Sequence, residues 1–126
     1  MAEGFLKAFD DRLQVYSAGT KPSRHVHPKA VQVMQELGVD ISAHQPKSVE
    51  KFLGQEFDYV ITVCDSAKEN CPVFIGKVEN SLHIGFEDPA AATGRESEID
   101  EKFRKIRDEI LLAFFAFYRK QVKTRQ

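Results

Sequence analysis

Tyr59-Val60-Ile61-Thr62-Val63-Cys64-Asp65 is the stretch on which the reading of the fold turns. Its first five residues are mostly apolar and β-branched, which suits a strand covered on both faces, as in a parallel sheet. Outward from it, Leu82-His83-Ile84 reads as a shorter strand. Leu13-Gln14-Val15-Tyr16-Ser17-Ala18 reads as another, stopped by Gly19. Helical patterns separate these strands. Met1, Phe5, Phe9 and Leu13 recur every four residues. Pro28 suits the first residue of a second helix and Gly38 its left-handed stop, with Val31, Met34 and Leu37 as an apolar stripe between them. A short helix is expected near Val49 to Leu53. Ser97 and Asp100 have capping-box spacing, with Asp in place of the usual Glu. Ile99, Phe103, Ile106, Ile110, Phe114 and Phe117 then follow at spacings of four and three, and Arg119, Lys120 and Lys123 favour the helix's C-terminal dipole end. Strands alternating with helices make the fold class α/β, a parallel sheet flanked by helices. The chain opens on a helix, where many such domains open on a strand.

The 126 residues are expected to form a single domain, 1–126, with one core. Lys and Arg number 18 against 19 Asp and Glu, a net charge of −1. That balance points away from nucleic acid and from an anionic membrane as partners. No apolar run approaches the ~20 residues a bilayer span needs. No basic segment precedes an apolar one at the start, so a cytoplasmic protein is expected. A reducing compartment disfavours a lasting structural disulfide, so the two cysteines, Cys64 and Cys71, are either inert or working thiols.

Cys64 ends the strand of the opening stretch, and Cys71 lies seven positions on. Strand ends in open α/β sheets face the ligand crevice, where a thiol can attack a disulfide or an oxidised centre and a second can resolve it. The plain alternative is one core thiol and one incidental surface thiol. In Glu87-Asp88-Pro89-Ala90, Pro89 restricts Asp88 to an extended conformation. A carboxyl held there suits a general acid protonating a leaving oxygen; the alternative is an Asp-Pro turn. His25 and His27 form an H-x-H pair without enough further ligands, so neither a metal nor a cofactor is expected. Glu3 either stabilises the first helix's dipole or lines a pocket at that helix end.

In order along the chain, Met1-Ala2-Glu3-Gly4-Phe5, Tyr16-Ser17-Ala18-Gly19, Pro28-Lys29-Ala30, Asp40-Ile41-Ser42-Ala43-His44, Val63-Cys64-Asp65, Asn70-Cys71-Pro72, Gly85-Phe86-Glu87-Asp88-Pro89-Ala90 and Phe103-Arg104-Lys105-Ile106-Arg107-Asp108-Glu109-Ile110 resemble the thioredoxin-coupled arsenate reductases of the low-molecular-weight phosphatase fold. The resemblance implies a four-stranded parallel sheet whose first, central strand leads into a Cys-x5-Arg anion loop. In that scheme the loop's thiolate attacks arsenate, a second cysteine attacks the first and releases arsenite, and a third closes a disulfide that thioredoxin reduces. By position Cys64 matches the second cysteine, Cys71 the third, and Asp88 the acid. Thioredoxin and arsenate, or a phosphate-like oxyanion, are the partners this implies.

The nucleophile and its arginine have no match. In the family they lie just before the stretch that matches Met1, so the first strand and anion loop are expected to be missing and the chain inactive as given. A sheet without its central strand is expected to fold poorly alone or to exchange strands in a homo-oligomer. Some family members hold potassium with the matches of Glu3, Ser17 and an acid where this chain has Lys47, and the Lys47 ammonium is expected to replace the ion. Two other functions compete. A protein-tyrosine phosphatase would share Asp88-Pro89 but have aromatic residues where Ala90-Ala91-Ala92 stands, and would not need the cysteine pair. A non-catalytic redox switch would use Cys64 and Cys71 alone.

Overall fold

The structure, a computed structural model, describes residues 1–18, 26–64 and 77–122. Gly19, His25, Asp65, Asn70, Cys71, Pro72 and Lys123, named above, lie outside the described residues. Three helices, α1 (Ala2–Phe9), α2 (Pro28–Gln35) and α3 (Glu96–Phe117), pack with two strands, β1 (Glu56–Thr62) and β2 (Lys77–His83). The strands run parallel, with Glu56 opposite Lys77 and Thr62 opposite His83. A 3₁₀ turn, Val49–Phe52, precedes β1, a second, Pro89–Ala91, follows β2, and α3 ends in a wider helical turn, Tyr118–Val122.

α3 is the spine of the molecule. Its apolar residues recur at the helical period, so one face stays dry. Phe103, Ile106, Ile110, Phe114 and Phe117 are buried there against Phe5 and Leu6 of α1, Ala30, Val33 and Met34 of α2, and Ile41. Apart from Ala30, each such side chain contributes about 1.5–3 kcal/mol by leaving water. Gly4 lets α1 approach closely, since a Cβ there would lie 2.8 Å from Ile41 Cγ2 and 3.2 Å from Val39 Cγ1. The sheet rests on the same spine: the Tyr59 ring meets Phe117 edge-on at 5.2 Å, and Phe86 stacks on Phe114 at 6.2 Å.

The start of α2 and the Gly38 stop match the sequence reading. Pro28 is the first helical residue, His27 Nδ1 accepts a hydrogen bond from Lys29 N at 3.1 Å, and Gly38 takes φ +76°. The buried face of α2 is different, however. It is Ala30, Val33 and Met34; Leu37, placed in the stripe by its spacing, is exposed because the helix stops before it. The capping box does not form. α3 starts at Glu96 without a side-chain cap, and Asp100 instead pairs with Lys29 at 2.6 Å, tying α3 to α2.

Three strand expectations also change. Residues 13–18 form no strand among the described residues. A strand exists through its ladder, and this segment is held by side chains instead. Tyr16 packs on Phe52 at 5.4 Å and Phe57 at 6.2 Å, and Ser17 donates to Glu3. α1 stops before Leu13, because Asp10 leaves the helix in an extended conformation and its carboxylate accepts from Arg12 and Tyr118. β2 is longer than its apolar triplet: Lys77, Glu79 and Ser81 point outward in strict alternation with half-buried Val78, Asn80 and Leu82. β1 is half-buried rather than covered on both faces, and Val63 just beyond it is 42% exposed. No helix among the described residues is long and apolar enough to cross a membrane.

Candidate active site at the carboxyl end of the sheet

The parallel register puts the ends of β1 and β2 side by side, and the ladder continues past both. Ile84 N donates to Thr62 O at 2.9 Å and Phe86 N to Val63 O at 3.0 Å. These bonds draw the segment 84–88 against the exit of β1, where Cys64 sits half-buried. Gly85 makes the approach possible. A methyl group there would lie 3.0 Å from Cys64 O and 2.9 Å from His83 Nε2. Cys64 is disulfide-bonded, where the sequence pointed to thiols; Cys71, the chain's other cysteine, lies outside the described residues.

Asp88 stands three residues beyond Gly85, exposed and extended at φ −80°, ψ 110°, as Pro89 requires. Its Oδ1 accepts from Ala90 N at 2.9 Å, capping the 3₁₀ turn that follows. The turn reading of Asp88-Pro89 is therefore met in geometry, and the carboxyl is held at the same end of the sheet as Cys64. Preceding it, Glu87 pairs with Lys102 of α3 at 2.7 Å. Sequence reasoning missed His83 here. Thr62 Oγ1 and His83 Nδ1 are 2.7 Å apart at the ends of the two strands. The available signal was a polar residue ending each parallel strand beside the cysteine.

Glu3 is engaged by protein donors on both oxygens. Lys7 Nζ donates to Oε2 at 2.7 Å, and Ser17 Oγ donates to Oε1. Burial pushes its carboxyl up, but the hydrogen bonds from Lys7 and Ser17 and the Lys7 charge outweigh that and hold it below the usual carboxylate range. The ammonium paired with Glu3 is that of Lys7, one turn along the same helix. A lysine four residues on reaches its acid without a loop having to fold over it. His27 stacks on Phe103 at 4.8 Å and caps α2, a packing role. Among the described residues no three of His, Cys, Asp and Glu converge as metal ligands. A concavity of about 250 Å³ between α2 and the loop Ser42–Pro46, lined by Val26, Val31 and His44, contains none of the residues above.

The family model for low molecular weight phosphotyrosine protein phosphatase matches residues 1–126. The chain belongs to that family. Within that family, relatives of this chain bear another activity in their names. An arsenate reductase of Halalkalibacterium halodurans is 41% identical over 111 residues, 87% of this chain and 78% of the relative. Arsenate reductase 2 of Staphylococcus haemolyticus is 39% identical over 118 residues, 93% of this chain and 84% of the relative. Among solved structures, an arsenate reductase in the phosphate-binding state superposes with a TM-score of 0.76 at 31% identity, over 94% of this chain and 86% of that one. The parallel sheet flanked by helices is the fold this chain shares with that reductase.

Proposed function

We propose that this chain is a cytoplasmic arsenate reductase in which Cys64 and Cys71 relay electrons from thioredoxin and Asp88 protonates the leaving oxygen. The observation that carries the reading is the disulfide of Cys64 at the carboxyl end of a parallel strand, beside the segment that bears Asp88. The arsenate reductases among its relatives support it. A thiolate bonded to arsenic would be attacked at sulfur by Cys64. The sulfur–arsenic pair would pass to arsenic, giving arsenite, and Cys71 would then close a disulfide on Cys64. In that scheme the disulfide of Cys64 corresponds to the last oxidised state, which a dithiol reopens.

The scheme needs a first thiolate in an anion-binding loop. Six residues after Cys64 stands Asn70, and six after Cys71 stands Lys77, so neither cysteine begins a Cys-x5-Arg loop. We propose that these 126 residues do not reduce arsenate by themselves. Strand exchange between copies through residues 13–18 belongs to the same proposal, and sedimentation velocity reads it as a dimer.

The test is arsenate-dependent oxidation of reduced thioredoxin. This chain is compared with one carrying, in frame ahead of Met1, a strand and Cys-x5-Arg loop from one of the relatives. Turnover by the extended chain alone supports the proposal. Turnover by the short chain would make Cys64 or Cys71 the nucleophile and overturn the scheme. An extended chain that cleaves an aryl phosphate and ignores thioredoxin would make it a phosphatase.

A further inference from the structure

We propose that His83, oriented by Thr62, is the proton acceptor for the Cys64 thiol. Three independent features converge on this. His83 closes β2 directly opposite Thr62, the last residue of β1, so the parallel register holds the pair across the ladder. Thr62 Oγ1 and His83 Nδ1 are 2.7 Å apart, which fixes the ring plane. The far nitrogen, Nε2, and the Cys64 carbonyl oxygen both lie within 3.0 Å of one point, the place a Cβ on Gly85 would occupy. Only a glycine at 85 leaves that space open between the imidazole and the Cys64 carbonyl.

In the proposed tautomer the Thr62 hydroxyl donates to Leu82 O at 3.5 Å, and its oxygen accepts from Nδ1–H of His83, 2.7 Å away. A neutral imidazole with its proton on Nδ1 presents a bare lone pair at Nε2. When Cys64 is reduced, its S–H bond breaks, the bonding pair stays on sulfur, and the proton goes to Nε2. The product is a thiolate beside an imidazolium, a pairing that makes a thiol nucleophilic near neutral pH. The same proton returns to sulfur when Cys64 leaves as a thiolate during disulfide reduction. Of the charged groups on the segment packed against this pair, Glu87 is held by Lys102 and Asp88 accepts from Ala90 N, so each already has a partner. Thr62 acts through His83 and is a positioning residue.

The inference rests on Cys64 being a working nucleophile. Its test needs neither arsenate nor thioredoxin, so its failure is distinguishable from failure of the reductase reading. In the full chain carrying Cys71→Ser, the rate of Cys64 alkylation by iodoacetamide is followed from pH 5 to 10. The expected inflection lies at least one pH unit below the ~8.5 of a free thiol. Adding His83→Gln or His83→Asn returns it to that value, with about a tenfold lower rate at pH 7. Thr62→Val gives a partial return, with the melting temperature kept by the similar shape. An unchanged inflection in the folded His83 variants overturns the proposal. Should those variants fail to fold, ¹⁵N-histidine NMR on the unaltered imidazole decides. Replacing Cys64 by serine must lower the His83 titration midpoint, and a midpoint that does not move overturns the proposal.

Discussion

Replacing Arg107 with methionine tests how α2 is fastened to the spine of the protein. Arg107 is 7% exposed on α3. Its Nη1 donates to Val33 O and to Glu36 Oε1, each at 2.8 Å, and its Nε to Asp108 Oδ1 at 2.9 Å. Val33 O belongs to the last turn of α2. Leu37 N, which an uninterrupted helix would aim at that oxygen, bonds to Met34 O at 3.0 Å instead. The guanidinium therefore satisfies a helix-end carbonyl that is buried. Methionine replaces the apolar stem and removes the cation. The loss of a charged hydrogen bond to a buried acceptor costs about 1.5–3 kcal/mol. Glu36 keeps the two-pronged contact with Arg104, so no carboxylate is stranded. The bond to Asp108, 57% exposed, adds little.

A total of about 2–3 kcal/mol follows. For a chain of this length, each kcal/mol is roughly 3–5 °C, so the melting temperature followed by circular dichroism should fall by about 6–15 °C in Arg107→Met. Arg107→Lys keeps one donor for Val33 O and should recover about half of that loss. Urea unfolding should show the same ranking with an unchanged slope. The reasoning is refuted if Arg107→Met melts within about 2 °C of the parent, or if the lysine is no better than the methionine.

Gly4→Ala should destabilise by about 1–3 kcal/mol through overpacking, since the new methyl meets Ile41 Cγ2 at 2.8 Å; a second substitution, Ile41→Leu, which removes the Cγ2 methyl, should restore part of the loss in the same melt. Glu36 is held down at about 2 by Arg104 and, after it, Arg107, against the opposing effect of burial. A depressed carboxyl stabilises the fold above its unfolded value of 4.5 and loses that contribution as pH falls towards 2. Glu36→Gln should therefore flatten the stability profile across that window and lower stability by a constant amount above it. In the chain extended by an anion loop, Asp88→Asn keeps a carbonyl oxygen to cap Ala90 N while removing the acid. Arsenate turnover should drop by about 10²-fold or more with no change in melting temperature, and a fall of less than about threefold would remove Asp88 from the mechanism.

The amino-acid sequence by itself determined the features that depend on near neighbours in the chain. The six-residue stripe from Ile99 to Phe117 fixes α3, and all of it except half-buried Ile99 lies in the core. Gly38 stops α2 because its left-handed conformation costs a glycine nothing. Pro89 makes Asp88 extended whatever surrounds it. Cys64 could be placed at a strand end because the apolar run before it is unambiguous.

Only the tertiary structure decided what depends on partners distant in sequence. Residues 13–18 have strand composition, yet the described residues give them no ladder. β2 extends through polar Lys77, Glu79 and Ser81 because β1 lies beside it to accept the pairing. Asp100 forgoes its capping position for a lysine on another helix, 71 positions earlier in the chain. Thr62 and His83 are 21 residues apart, and nothing local joins them. Periodicity and proline or glycine act over a few residues, whereas a hydrogen bond or ion pair across the fold forms only once packing has brought both ends to one place.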